Sequence, residues 1–144
     1  MNELGLTEDS LTGSEVQSER GEAELETALD EADFFAEAAG LKLTTIFGGV
    51  DHDKQRREIA QGPHLVVATP GRLLDWFDRG RVLLGGVNIV VLDEADRMLD
   101  MGFMPDVERI LSLLTGRRQT LLFSATMPPG VRRIIERFLN EPAR

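Results

Sequence analysis

Two adjacent carboxylates, Asp93 and Glu94, follow directly on the apolar run Val87–Leu92. A strand that ends in acids presents them at its carboxyl end, the edge at which open α/β sheets form ligand crevices. There Asp93 suits a magnesium ion held through water, and Glu94 suits polarising an attacking water. The same pair equally suits plain helix capping, because the dipole of a following helix favours acids in its first turn. Taken alone, the two residues leave both readings open.

Three more groups follow expected strands in the same way. Gly48-Gly49 follows the run Leu43–Phe47, Thr69-Pro70-Gly71-Arg72 follows His64–Ala68, and Ser124-Ala125-Thr126 follows Gln119–Phe123. Glycines let backbone N–H groups approach a phosphate, and an arginine can pair with one bidentately. Such contacts read the backbone and carry no base sequence. Singly, Gly48-Gly49 reads better as a hairpin-like turn and Thr69 as a helix cap. Other residues point to structure. His52 and His64 have no partners at ligand spacing and read as surface or strand-start positions. Trp76 and Phe77 sit in an amphipathic stretch and read as core. The pairs Arg56-Arg57, Arg117-Arg118 and Arg132-Arg133 read as solvated faces.

The elements that would position these groups alternate between strand and helix. Strands are expected at Leu43–Phe47, His64–Ala68, Val87–Leu92 and Gln119–Phe123. Val87–Leu92 reads as an apolar strand of the kind buried on both faces. Helices are expected over about 51–61, 72–79, 104–114 and 128–139, the last opening at Pro128. Ahead of them, residues 22–39 are strong helix formers. Leu25, Leu29, Ala32, Phe35, Ala36 and Ala39 fall at helical spacing there, with Gly40 as a stop. Residues 1–21 mix Gly, Ser, Thr and Glu without apolar periodicity and read as a disordered acidic tail.

Composition bounds the class. The chain has 144 residues, 42% of them hydrophobic, enough to bury a core. It has no cysteine, which removes disulfides and thiolate chemistry. No apolar run reaches membrane-span length, and the opening MNELGLTEDS lacks the basic and apolar parts of a secretion signal. A cytoplasmic location is expected. The net charge of −9 is unevenly spread. Residues 1–40 carry twelve acids and one base, a net of −11, while residues 41–144 carry thirteen acids and fifteen bases, a net of +2. Only the second segment has a balance compatible with nucleic acid.

The order of the four groups, each just after an expected strand, resembles the first RecA-like lobe of the DEAD-box ATP-dependent RNA helicases. The resemblance runs from about residue 40 to the C-terminus and includes Arg97-Met98-Leu99-Asp100-Met101-Gly102-Phe103 after the Asp-Glu-Ala-Asp tetrapeptide. It implies an α/β fold: an incomplete RecA-like P-loop NTPase lobe of about four mainly parallel strands flanked by helices, over residues 22–144. Asp93 would then be the magnesium carboxylate, acting through water, and Glu94 the water-activating one. Asp96, Ser124 and Thr126 would form the network coupling nucleotide state to RNA grip. Gly48, Gly49, Thr69, Pro70, Gly71 and Arg72 would contact the RNA backbone. ATP and Mg²⁺ are the implied cofactors, and RNA is the implied partner.

Part of the family pattern is missing. A phosphate loop ends in Gly-Lys followed by Thr or Ser, and the only lysines, Lys42 and Lys54, do not follow glycine. The adenine-recognising glutamine motif, the Pro-Thr-Arg-Glu-Leu motif and the second lobe are also absent. The chain therefore reads as a fragment that alone neither binds nor hydrolyses ATP. In the family's sheet the missing strands separate those kept here. Two strand pairs are expected in consequence, Leu43–Phe47 with His64–Ala68 and Val87–Leu92 with Gln119–Phe123. That leaves Leu121, Leu122 and Phe123 on an unprotected edge prone to association. Two further readings stand beside this one: a non-catalytic RNA-backbone-binding or regulatory module, and a protein-interaction module built on the acidic helix of residues 22–39.

Overall fold

A computed structural model of the chain describes residues 27, 29–49, 51–116 and 119–144. The expected acidic tail, the beginning of the first helix and the Arg117-Arg118 pair lie outside the described residues. Two compact units are distinguished, residues 1–43 with 62–65, and residues 44–61 with 66–144.

In the first unit, residues 29–38 are helical (α1). The helix closes as its sequence expects. Gly40 adopts a positive φ of 70°, its N–H reaches Glu37 O, and the Leu41 N–H reaches back to Ala36 O. This left-handed glycine closure satisfies carbonyls that the helix end would otherwise leave unpaired. The apolar stripe is only partly realised. Ala36 is buried, but Phe35 is 68% exposed and meets Phe34 edge-on at 5.5 Å. Helical spacing aligns residues on a stripe without ensuring that anything covers it. His64 has a structural role here, its Nδ1 accepting the Lys42 N–H at 2.9 Å.

The second unit carries most of the α/β alternation. Strand β1 (Leu43–Ile46) pairs with β2 (Leu65–Ala68), and β3 (Ile89–Leu92) pairs in parallel with β4 (Gln119–Leu122). The four strands thus form the two separate pairs that the missing family strands predict. Helices α2 (His52–Ala60), α3 (Pro70–Asp78), α4 (Ala95–Asp100), α5 (Met104–Leu113) and α6 (Pro129–Phe138) follow between and after them. Sequence reading placed α3 two residues late and opened the last helix at Pro128, which is instead the N-cap of α6. A proline early in a helix is compatible with both starts, so it does not define the boundary. It did not anticipate α4, whose six residues are too few for a periodic signal.

The core is built from Leu84, Met104, Val107, Leu111, Leu114 and Ile134. Parallel register aligns Val90 with Thr120 and Leu92 with Leu122 on one face of the β3–β4 pair. From that face Val90, Leu92 and Leu122 pack against the core. Ile89 and Val91 point the other way, and they are 59% and 55% exposed. The expectation that this run is buried on both faces is therefore wrong. Successive strand residues alternate sides, and among the described residues the core covers only one of them. Helices α4 and α6 meet closely at Gly130, where a Cβ would come within 2.6 Å of Leu99 Cδ1. Among the described residues no helix is long and apolar enough to cross a membrane.

Candidate functional site

Two grooves contain the residues singled out by their chemistry, each at the carboxyl ends of one strand pair. The first is built where β3 and β4 stop. Phe123 N–H donates to Leu92 O at 2.8 Å, and Ala95 N–H donates to Phe123 O at 3.1 Å. These bonds join the start of α4 to the end of β4, so Asp93–Asp96 face Phe123–Thr126. Asp93, Glu94, Asp96, Arg97, Asp100, Phe123, Ser124 and Ala125 line the resulting groove of about 480 Å³.

Asp96 is its hub. One carboxylate oxygen accepts the Thr126 hydroxyl at 2.9 Å and the Thr126 N–H at 3.1 Å, while the other accepts the Arg97 N–H at 3.0 Å. Ser124 Oγ accepts the Asp96 N–H at 3.0 Å and donates to Thr126 O at 2.7 Å. The Thr126 hydroxyl, chiefly, holds the Asp96 carboxyl below its ordinary value of 3.8; desolvation opposes this, and the neighbouring N–H groups and Ser124 add to it. Hydrogen bonds donated to a carboxylate favour its charged form. The spacing of Asp96, Ser124 and Thr126 thus corresponds to one connected network.

Asp93 and Glu94 are less constrained. Asp93 Oδ1 accepts the Glu94 N–H at 2.9 Å, and the Glu94 carboxylate lies 3.4 Å from Arg97 Nη1 in an exposed pair. Glu94 occupies the N-cap position of α4, yet its side chain makes no capping bond. The Glu94 carboxylate is thus at the helix start without a capping bond, and only its charge can act on the helix dipole. Its backbone is also unusual, with φ 51° and ψ 48°. A non-glycine residue in the left-handed region is strained, and such strain gathers at functional sites.

A magnesium ion can be tested against this donor set. The ion is ordinarily held by one or two carboxylates together with waters and substrate phosphates. Asp93 fits that pattern as a single carboxylate on the groove. No group of three or more His, Cys, Asp or Glu side chains able to hold a metal by itself occurs among the described residues.

The second groove, of about 310 Å³, is lined by Gly48, Thr69, Gly71, Arg72 and Asp75. Gly48 follows β1, whose last residue Ile46 accepts the Thr69 N–H at 3.0 Å, so the Gly-Gly turn and the Thr-Pro-Gly-Arg segment are tied together. Gly49 has φ 80°, a conformation that needs glycine. Thr69 stands at the N-cap of α3 without a side-chain capping bond, and Pro70 opens the helix. Arg72 Nη1 lies 2.7 Å from His52 Nε2 and 3.4 Å from Asp75 Oδ2.

Sequence reasoning missed the contacts that two residues make behind this groove. His52 is exposed, as its surface reading expects, but it also meets Arg72 and packs on the Trp76 ring at 5.3 Å. Gln55 is completely buried, donates to Phe47 O and accepts from Trp76 Nε1, both at 2.9 Å. A glutamine within a charged helix gives no sequence signal of burial. Trp76 is buried and Phe77 packs against the core, as the amphipathic stretch suggests.

The folded arrangement is that of a RecA-like lobe in part, and the comparisons agree. Residues 25–134 match the DEAD/DEAH box helicase family. The chain belongs to that family. It is 54% identical over 102 residues to the DEAD-box ATP-dependent RNA helicase CshA of Geobacillus kaustophilus, covering 71% of this chain and 22% of the relative. It is 49% identical over 109 residues to the ATP-dependent RNA helicase DeaD of Haemophilus influenzae, covering 76% and 18%. Among solved structures, it is similar to a hypothetical ATP-dependent RNA helicase from Sulfolobus tokodaii, with a TM-score of 0.70, 37% identity, and coverage of 74% of this chain and 32% of that one. A DEAD box protein from Methanococcus jannaschii aligns with a TM-score of 0.66 and 40% identity, covering 70% and 28%. The chain thus spans about a fifth of the length of the curated relatives it matches.

Proposed function

We propose that this chain is a DEAD-box helicase segment that holds an RNA backbone without sequence preference and does not, by itself, bind or hydrolyse ATP. The observation that carries the first half is the grouping of Gly48, Thr69, Gly71 and Arg72 around one groove. Glycine amides and a guanidinium are suited to phosphate oxygens, which every RNA sequence offers. The net charge of +2 over residues 41–144 is compatible with weak binding that fades as salt rises. The reading is tested by titrating labelled single-stranded RNA at low salt. Binding is expected, and replacing Arg72 with alanine should lower the salt slope by about 0.7, one single-strand phosphate contact. No retention of RNA at low salt overturns it.

The second half rests on magnitudes. Charge-assisted hydrogen bonds contribute on the order of 1.5–3 kcal/mol each. A phosphate loop supplies about four, roughly 6–12 kcal/mol, against the ~8 kcal/mol that micromolar binding represents. Asp93 would hold Mg²⁺ through water, and the ion would neutralise phosphate charge there. One carboxylate does not replace the loop. Phosphate release from ATP by the purified chain with RNA present should stay at the blank. Release that Glu94→Gln abolishes overturns the proposal. In an intact helicase core, Glu94 would orient the attacking water, while Asp96, Ser124 and Thr126 would link that site to RNA grip. A cytoplasmic location belongs to the same proposal and accords with the absence of cysteine.

A further inference from the structure

Gln55 is the most deeply buried polar residue among the described residues, and the function above does not use it. It is fully buried, and both ends of its amide are committed. The NH₂ donates to Phe47 O, the carbonyl directly before Gly48-Gly49. The carbonyl oxygen accepts the Trp76 indole N–H, four residues beyond Arg72 on α3. Residues four apart on a helix share a face, so Trp76 and Arg72 present the same side of α3. His52, on the helix that carries Gln55, closes the circuit. Its ring packs on Trp76, and its Nε2 meets Arg72 Nη1. A guanidinium can only donate, so in this contact His52 Nε2 is the acceptor.

We infer that Gln55 is a positioning residue that locks the Gly48-Gly49 turn to the Arg72 helix through Trp76, so that the two parts of the backbone-binding groove hold one spacing. This deepens the RNA-binding proposal and rests on it for its purpose. The physical need is clear. Glycines make the turn adaptable, and an arginine on a three-carbon stem is mobile. The Thr69 N–H to Ile46 O bond ties the two strand ends, but it reaches neither the glycines nor the helix turn that carries Arg72, so a second joint is needed to hold their spacing. An amide with a buried hydrogen bond at each end is such a joint, because breaking either bond strands a polar group away from water. Contact with the phosphate would remain with the glycines and Arg72.

The chain has one tryptophan, so the indole N–H gives a single, unambiguous NMR reporter. Trp76→Phe keeps an aromatic ring at the position but cuts the Gln55 bond. It reaches the turn through Gln55, so the backbone NMR order parameters of Gly48 and Gly49 are the readout. Loss of the bond should lower both. RNA affinity should fall about fivefold, the equivalent of one buried neutral hydrogen bond, with an unchanged salt slope, since no phosphate contact is lost. Arg72→Ala should instead reduce the slope. Gln55→Glu is the second variant if Trp76→Phe does not fold. It keeps an acceptor for Trp76 but loses the donor to Phe47 O, so the order parameters of the turn should fall while the indole N–H resonance stays protected. Unchanged order parameters at Gly48 and Gly49 in the folded variant overturn the inference. Failure of the native chain to bind oligouridylate overturns the RNA reading alone, because the relaxation measurement needs no RNA.

Discussion

Glu94 shows how a single residue can be set against its own preference. Its left-handed backbone, φ 51° and ψ 48°, is a conformation glycine adopts freely and glutamate does not. The cost is roughly 1–2 kcal/mol, of which a glycine would return part to unfolded-state entropy. Glu94→Gly should therefore raise unfolding stability by about 0.5–1 kcal/mol, read from urea denaturation. Glu94→Ala retains the strain and should show no such gain; equal gains in both variants would contradict the account. Asp96 carries the opposite lesson, since its surroundings favour the charge it bears. Its carboxyl is held below 3.8 chiefly by the Thr126 hydroxyl. The folded state thus binds the Asp96 proton less readily than the unfolded state does. Its contribution is complete above the unfolded value and is lost as pH falls through the lower folded value. Urea midpoints at neutral and strongly acid pH should converge between the native chain and Asp96→Asn on the acid side. A constant difference would show that ionisation is not the cause.

At the scale of elements, apolar packing and ion pairing make separable demands. Leu111 on α5 is almost wholly buried within the core that faces α6 and the β3–β4 pair. Leu111→Ala should cost about 2–5 kcal/mol, the usual range for a truncated core leucine. Helices α3 and α5 are also joined by Arg109 and Asp78, with nitrogen–oxygen distances of 2.6 and 3.0 Å. The hydrogen bond from Arg109 lowers the Asp78 carboxyl, but both side chains are about half exposed. Solvent screening limits such pairs. Arg109→Ala should accordingly destabilise far less than Leu111→Ala, by an amount that shrinks as salt is added. The same ordering at low and high salt, with only the Arg109 effect changing, is the expected thermal-melt result.

At the scale of the molecule, the distinguishing feature is apolar surface that the described residues do not cover. Ile89, Val91 and Phe123 are each more than half exposed. Each strand of the β3–β4 pair also has only one partner among the described strands. Uncovered sheet surface favours pairing with another chain. We expect the sedimentation coefficient to rise with protein concentration. The double replacement Val91→Thr and Phe123→Ser should weaken that dependence while keeping circular dichroism. A coefficient independent of concentration in the native chain would dispose of the idea. The relatives are about five times longer than the matched segment. Their names state an ATP-dependent helicase activity.

The strand-and-turn rhythm, the four ordered motifs and the absence of a Gly-Lys loop could all be read from the linear chain; the two strand pairs came from the family resemblance that those motifs carry. Each of the first three is a local property of contiguous residues, so apolar runs, glycines and acids declare themselves by order alone. Contacts between distant residues could not be read in this way. Gln55 meets Trp76 across 21 positions, and Arg72 meets His52 across 20. The sidedness of β3, the exposure of Phe35 and the left-handed turn at Glu94 depend on which neighbours are present and where they sit. A strand residue's burial is set by what packs over it, and a polar residue's role by the partner brought to it. Both are settled only when the chain closes on itself.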